Sequence, residues 1–262
     1  DYDFANYKYL LNLDSEKFGE LCIGCAGGIY TNATLPVEME PIDNRQVVEV
    51  SIGKLLGGHS GLKINEGRIN AIKLLADSLH SLMREGIDLR LLDLKGGEKK
   101  NSIPNFAIAT IAIHPDQVAK VKRMLKTLES IRSVKAIPKE KELSISLDEN
   151  AISFPEMSTR ESTDEAIVFL RTLPNGIIKM SEDGRIIVSS TNIGTLALLN
   201  GQVEVGMLTR SSSDEEIEKV NELIESKIPA NAQVNHYAPF SGWEPNFEQE
   251  IIALLQEQYK DL

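Results

Sequence analysis

The chain has 262 residues, 42% of them hydrophobic and 26% charged, with 28 Lys and Arg against 39 Asp and Glu for a net charge of −11. No Lys/Arg stripe offsets that acidity, which argues against a nucleic-acid partner, and no apolar run approaches the ~20 residues of a membrane span. The N-terminal DYDFANYKYLL is acidic where a secretory signal is basic, so a cytoplasmic setting is expected, and the absence of an initial Met reads as a chain cut from something longer.

Taken in order, an apolar run over 7–13 ends in Asp14, the pattern of a buried strand that presents a carboxylate at its end. A second short run over 20–23 leads into Cys22 and Cys25, the only cysteines. Two thiols cannot close a tetrahedral zinc site. Their place on a strand entering a glycine turn predicts buried, structural thiols in a reducing compartment. The segment 36–44 is proline-rich and acidic and reads as a crossing between domains.

From Gln46 the pattern becomes regular, with strands at 46–53, 87–95, 106–113 and 142–147 and helices at 65–84 and 116–131, the latter opened by Asp116. After a loop at 148–160, helices at 162–172 and 214–227 alternate with strands at 185–199, 202–210 and 233–237, and Asn200-Gly201 marks a two-residue hairpin. A last helix is expected at 246–259. The second stretch echoes the element order of the first without matching its residues. The expected fold is therefore α+β, an antiparallel sheet with helices on one face, in two β-α-β-β-α-β-like halves.

The stretch GKLLGGHSG, residues 53–61, ends a strand and enters a helix. Its glycines allow positive φ and close approach, and hold His59 and Ser60 on the turn. A titratable side chain there suits a small anionic or carbonyl ligand; a turn in which His59 only satisfies local hydrogen bonds is the plainer alternative. His114-x-Asp116 and Glu215-Glu216 have metal-site and general-base spacings but read as helix starts.

GGHSG, the upstream LDSE (13–16) and GCAGG (24–28), and the downstream DLRLLDLKGG (88–97), NSIP (101–104), TLPNGII (172–178), TNIG (191–194), TRS (209–211) and GWEP (242–245) occur in the order they take in one family. In these the chain resembles the aminoacyl-histidine dipeptidases, also called cytosol non-specific dipeptidases, of the dinuclear-zinc exopeptidases. The resemblance implies a lid or dimerisation domain over 46–238, with 1–45 and 239–262 as edges of a catalytic domain. It implies hydrolysis of short peptides such as Xaa-His dipeptides, two zinc ions per active site, and a homodimer formed through the lid.

Residue by residue, the resemblance makes Asp14 a zinc ligand and His59 the lid histidine, which reaches a partner's site and stabilises the oxyanion. It makes Arg210 the grip on the substrate's C-terminal carboxylate, a task that suits a planar guanidinium. It makes Asn101 a substrate contact; a plain turn residue before Pro104 is its other reading. The family's metal-binding His-x-Asp, its Glu-Glu pair and its late histidine have no counterpart in family context. The expectation is that this polypeptide alone is inactive, and its rival is a non-catalytic dimerisation or binding protein that keeps the lid fold.

Overall fold

The computed structural model describes residues 9, 22–135, 140, 142–150, 154–243 and 248–259. In chain order the strands are β1 (Gly27–Pro36), β2 (Met39–Pro41), β3 (Gln46–Gly53), β4 (Gly58–His59), β5 (Arg90–Gly96), β6 (Ser102–Ile103), β7 (Ala107–Ile113), β8 (Ser144–Asp148), β9 (Glu156–Ser158), β10 (Gly176–Met180), β11 (Ile187–Leu199), β12 (Gln202–Ser211) and β13 (Gln233–Phe240). The α-helices are α1 (Ser60–Lys63), α2 (Ala71–Arg84), α3 (Val118–Lys135), α4 (Arg160–Thr172), α5 (Asp214–Glu225) and α6 (Glu250–Tyr259).

One antiparallel sheet runs β13-β1-β12-β11-β5-β7-β3-β8, with β10 paired to β11. It consists of two units of the same topology. In the inner unit, β3-α2-β5-β7-α3-β8, the first strand lies between the third and the fourth. In the outer unit, β1-α4-β11-β12-α5-β13, the first strand again lies between the third and the fourth. The second strands, β5 and β11, meet antiparallel at Gly96↔Leu196 and Lys95↔Ala197. Like strand meets like strand, so a pseudo-twofold axis passes through the border, and the two first helices, α2 and α4, pack across it.

This explains the echo in the sequence. The second stretch lacks its first strand because β1 supplies it and the whole inner unit is inserted between β1 and α4. Gly27–Pro36, which the sequence boundary at residue 45 sets outside the lid, is thus a central strand of the sheet, paired on both sides.

Alternation gives the sheet its two faces. Thr31, Ala33 and Leu35 of β1 and Val203, Val205 and Met207 of β12 are buried beneath the helices with Ile72, Leu75, Leu79 and Leu82 of α2. The opposite face is covered near β5 and β7 by the β2–β9 ribbon, where Met157 packs on Leu92 and Ala112.

Two expectations change. The helix expected over 65–84 starts only at Ala71, because Gly67 turns left-handed (φ 68) and Asn70 caps, its Oδ1 accepting from the Ile72 N–H at 3.0 Å and the Lys73 N–H at 3.3 Å. Cys22 and Cys25 are exposed free thiols, not buried ones, because the strand begins after them at Gly27. Cys25 instead forms a reciprocal backbone bridge with Trp243, at 3.0 and 2.8 Å. Beside it the entering and leaving segments cross so closely that a Cβ on Gly27 would lie 2.3 Å from the Gly242 nitrogen.

Candidate functional site

His59 sits on a braced turn. Gly57 and Gly58 take φ values of 57° and 118°, a backbone that only glycine adopts without strain. The turn is pinned by the β4–β6 pairing of His59 with Ser102 and by the Ser60 N–H donating to the Asn101 carbonyl at 2.9 Å. Arg68 donates to the Gly57 carbonyl and, through Nε, to Glu66 at 2.8 Å, while Lys63 donates to the other Glu66 oxygen at 2.8 Å. Those side-chain hydrogen bonds hold the Glu66 carboxyl down at about 2. The His59 side chain is exposed.

Arg210 projects from β12 on the face away from the core helices, opposite Gly28 of β1 and Ser190 of β11. Its guanidinium lies 5.8 Å from the Phe240 ring centroid, at cation–π distance. Its buried Nε has no hydrogen-bond partner, and among the described residues no carboxylate pairs with it. Burial draws Arg210 below the usual guanidinium range, against the opposing pull of Tyr30 and Cys25. A half-buried cation with an unused donor is a ready seat for an anion.

His59 belongs to the inner unit and Arg210 to the outer, yet they converge. A Cβ on Gly61 would stand 3.1 Å from His59 Cε1 and 3.2 Å from Arg210 Nε. Asn101 lies in the adjoining loop, where its carbonyl braces Ser60.

The same face carries residues that sequence reasoning missed. Lys100 donates to Asn32 Oδ1 at 2.6 Å and to the Tyr237 hydroxyl, and its Nζ lies 4.9 Å from the Tyr237 centroid. Tyr30 stacks on Tyr237 at 5.8 Å and tilts against Phe240 at 6.3 Å. Aromatic rings therefore bridge two cations on one face of an otherwise acidic protein. Asn192 ties the Lys100 loop to β11, its Nδ2 donating to the Ser102 carbonyl at 2.8 Å and the Lys100 carbonyl at 3.1 Å. Lys100 carries no sequence signal, since its partners are remote in the chain, whereas Asn192 stands within the TNIG motif (191–194) but with no role read for it.

Asp14 lies outside the described residues. Among the described residues no three His, Cys, Asp or Glu side chains group as metal ligands. His114 Nε2 is 3.6 Å from Asp88, and Glu216 accepts from Lys179 at 2.6 Å and Lys219 at 2.9 Å, so these motifs are engaged elsewhere. The described residues do not fit a zinc centre. They can hold a carboxylate and present an imidazole beside it.

Residues 51–140 match the peptidase dimerisation domain family. The chain is 34% identical over 257 residues to the cytosol non-specific dipeptidase of Escherichia coli (strain K12), covering 97% of this chain and 52% of that protein. Its fold superposes on the crystal structure of aminoacylhistidine dipeptidase from Vibrio alginolyticus with a TM-score of 0.87 at 28% identity, over 95% of this chain and 51% of that one. The resemblance read from the sequence motifs is thus shown in both sequence and fold, and the chain spans about half the length of these relatives.

Proposed function

We propose that this chain forms the substrate-gripping lid and dimerisation part of a cytoplasmic metallo-dipeptidase that cleaves short peptides, Xaa-His dipeptides among them. The observation that carries the reading is the convergence on Gly61 of His59 and of Arg210, whose Nε has no hydrogen-bond partner among the described residues. Arg210 binds the C-terminal carboxylate with its planar fork. His59 donates a hydrogen bond to the peptide carbonyl oxygen as it gains charge, and Asn101 flanks the peptide.

The relatives' names describe dipeptidases, and the family resemblance implies a two-zinc centre. The described residues do not supply one, and the chain by itself is expected not to hydrolyse peptides. The resemblance gives His59 to a partner's site. The meeting of His59 and Arg210 within one chain supports their joint action in the same chain, with dimerisation through the region around 51–140 as a separate property. The rival reading is a binding or dimerisation protein that keeps the lid and has no catalysis of its own.

The test is an NMR titration of the chain with glycyl-histidine. Arg210→Lys is expected to weaken binding by ~10-fold or more, the worth of a bidentate charge-assisted contact. Unchanged affinity would reject the carboxylate seat.

A further inference from the structure

The segment that carries His59, residues 57–68, leaves and returns at one place. At its neck the Arg68 guanidinium donates to the Gly57 carbonyl. Just outside the neck, Leu56 and Ile69 both turn their backbone N–H groups to a single side chain, that of Glu140 in the connection between α3 and β8. Glu140 Oε1 accepts from the Leu56 N–H at 3.4 Å and Oε2 from the Ile69 N–H at 2.9 Å. With its ends held together in this way, the segment is a closed surface loop.

Glu140 is fully buried, at 0% exposure. A buried carboxyl is costly unless its oxygens are satisfied, and its side-chain partners among the described residues are these two N–H groups. Its own backbone is anchored, the Glu140 carbonyl accepting from the N–H of buried Leu143 at 3.2 Å. A main-chain carbonyl could meet either N–H alone. One carboxyl that meets both fixes the two feet of the loop against each other and against the α3–β8 connection.

Packing beneath the loop does little to hold it. A cleft of about 310 Å³ lies between Ile64 and Arg68 of the loop and Ile103 and Ile177 opposite, and Leu62 of the loop is 63% exposed. The tip is held by the pairing of Gly58 and His59 with Ile103 and Ser102, and by the Ser60 N–H on the Asn101 carbonyl. These adjoining contacts form a hinge, and a hinged body needs a second fixed point to define its orientation.

Building on the preceding reading, in which His59 hydrogen-bonds the peptide carbonyl, we propose that Glu140 is a positioning residue for His59: its buried carboxyl clasps the neck of the loop and so sets the imidazole beside Arg210. Glu140 acts through the loop's backbone, at a distance from the peptide.

The test is a double-mutant cycle on the full chain, read by NMR titration with glycyl-histidine. Glu140→Gln keeps the shape of the side chain but leaves one of the two N–H groups without an acceptor, and is expected to weaken binding at least ~5-fold. In a His59→Ala background the same change should alter affinity by less than ~2-fold. Equal losses in the two backgrounds, or wild-type affinity in Glu140→Gln, would overturn the proposal. A second readout needs no peptide. His59 Cε1 stands 3.1 Å from where a Gly61 Cβ would lie, so the His59 Hε1 proton should show an NOE to the Gly61 α-protons in the unmodified chain and lose it in Glu140→Gln. Survival of that NOE in the variant overturns the proposal whether or not peptide binds. Its loss, together with an absence of Arg210-dependent binding, would strike the carboxylate seat and leave the positioning role standing. Should Glu140→Gln fail to fold, Glu140→Asp, which keeps both acceptors but falls one methylene short of the neck, is read by the same NOE with the same two outcomes.

Discussion

Gly61 is the contact point of the site, and its lack of a side chain has a measurable consequence. Alanine there favours the helix by up to ~1 kcal/mol, but its methyl would press on His59 and Arg210 at 3.1 and 3.2 Å. Gly61→Ala should therefore keep or slightly raise the melting temperature while weakening glycyl-histidine binding several-fold; wild-type affinity would show that the two side chains need not meet there. Gly97 makes the opposite case. Its φ is +61°, and a Cβ would lie 2.0 Å from the Gly194 carbonyl oxygen, a backbone atom that cannot swing aside. Gly97→Ala should lower stability by at least about 1–3 kcal/mol in urea unfolding. A smaller loss would mean that the Lys99–Asn101 loop can lift from β11 at little cost.

Among the elements, strand alternation and turn chemistry were readable in the sequence where they were local. The strands at 46–53 and 187–199 follow from their apolar residues, and Asn200-Gly201 forms its hairpin with φ values of 51° and 70°. β1 was not readable, because GGIYTNATLP breaks the apolar alternation with a buried Thr31 whose hydroxyl is satisfied by His236 Nδ1 at 2.8 Å, a partner 205 residues away. The start of α2 was misread because Ile64 and Ile69 carry the helical apolar pattern across Gly67. The meeting of His59 with Arg210 depends on the β5–β11 pairing, which no short-range pattern encodes. The loop before β5 carries a further long-range device. Burial pushes the Asp88 carboxyl up, but hydrogen bonds from Arg45 at 2.6 Å and from Arg90, with their charges, reverse this and hold it at about 2. The folded chain therefore binds fewer protons at Asp88 than the unfolded chain between 3.8 and about 2. The resulting stability is complete above that window and is lost as pH falls through it. Between pH ~4 and ~2 the wild type should lose about 2 kcal/mol more than Asp88→Asn in urea unfolding, the shared carboxylates cancelling in the comparison. Parallel losses would remove the arginine clamp from the account.

At the scale of the whole molecule, two units of like topology share one sheet, and His59 of one and Arg210 of the other meet at Gly61 across their border. With no three-ligand group among the described residues, the chain's stability should be indifferent to metal. Zinc or EDTA is expected to move the melting temperature by less than ~1 °C, whereas a rise of several degrees with zinc would reveal a tight site. The way the units are threaded has a consequence for heredity. The inner unit departs and returns through the β2–β9 ribbon, where Met39 faces Ser158 and the Thr159 N–H donates to the Glu38 carbonyl at 2.9 Å. The outer unit enters and leaves side by side at Cys25 and Trp243. Each is thus a cassette with its two ends together, nested one in the other. A recombination event at either seam can graft or excise a complete folding unit and leave the host strands in register. A copied unit, spliced into its own parent at such a seam, would yield this doubled architecture within one reading frame.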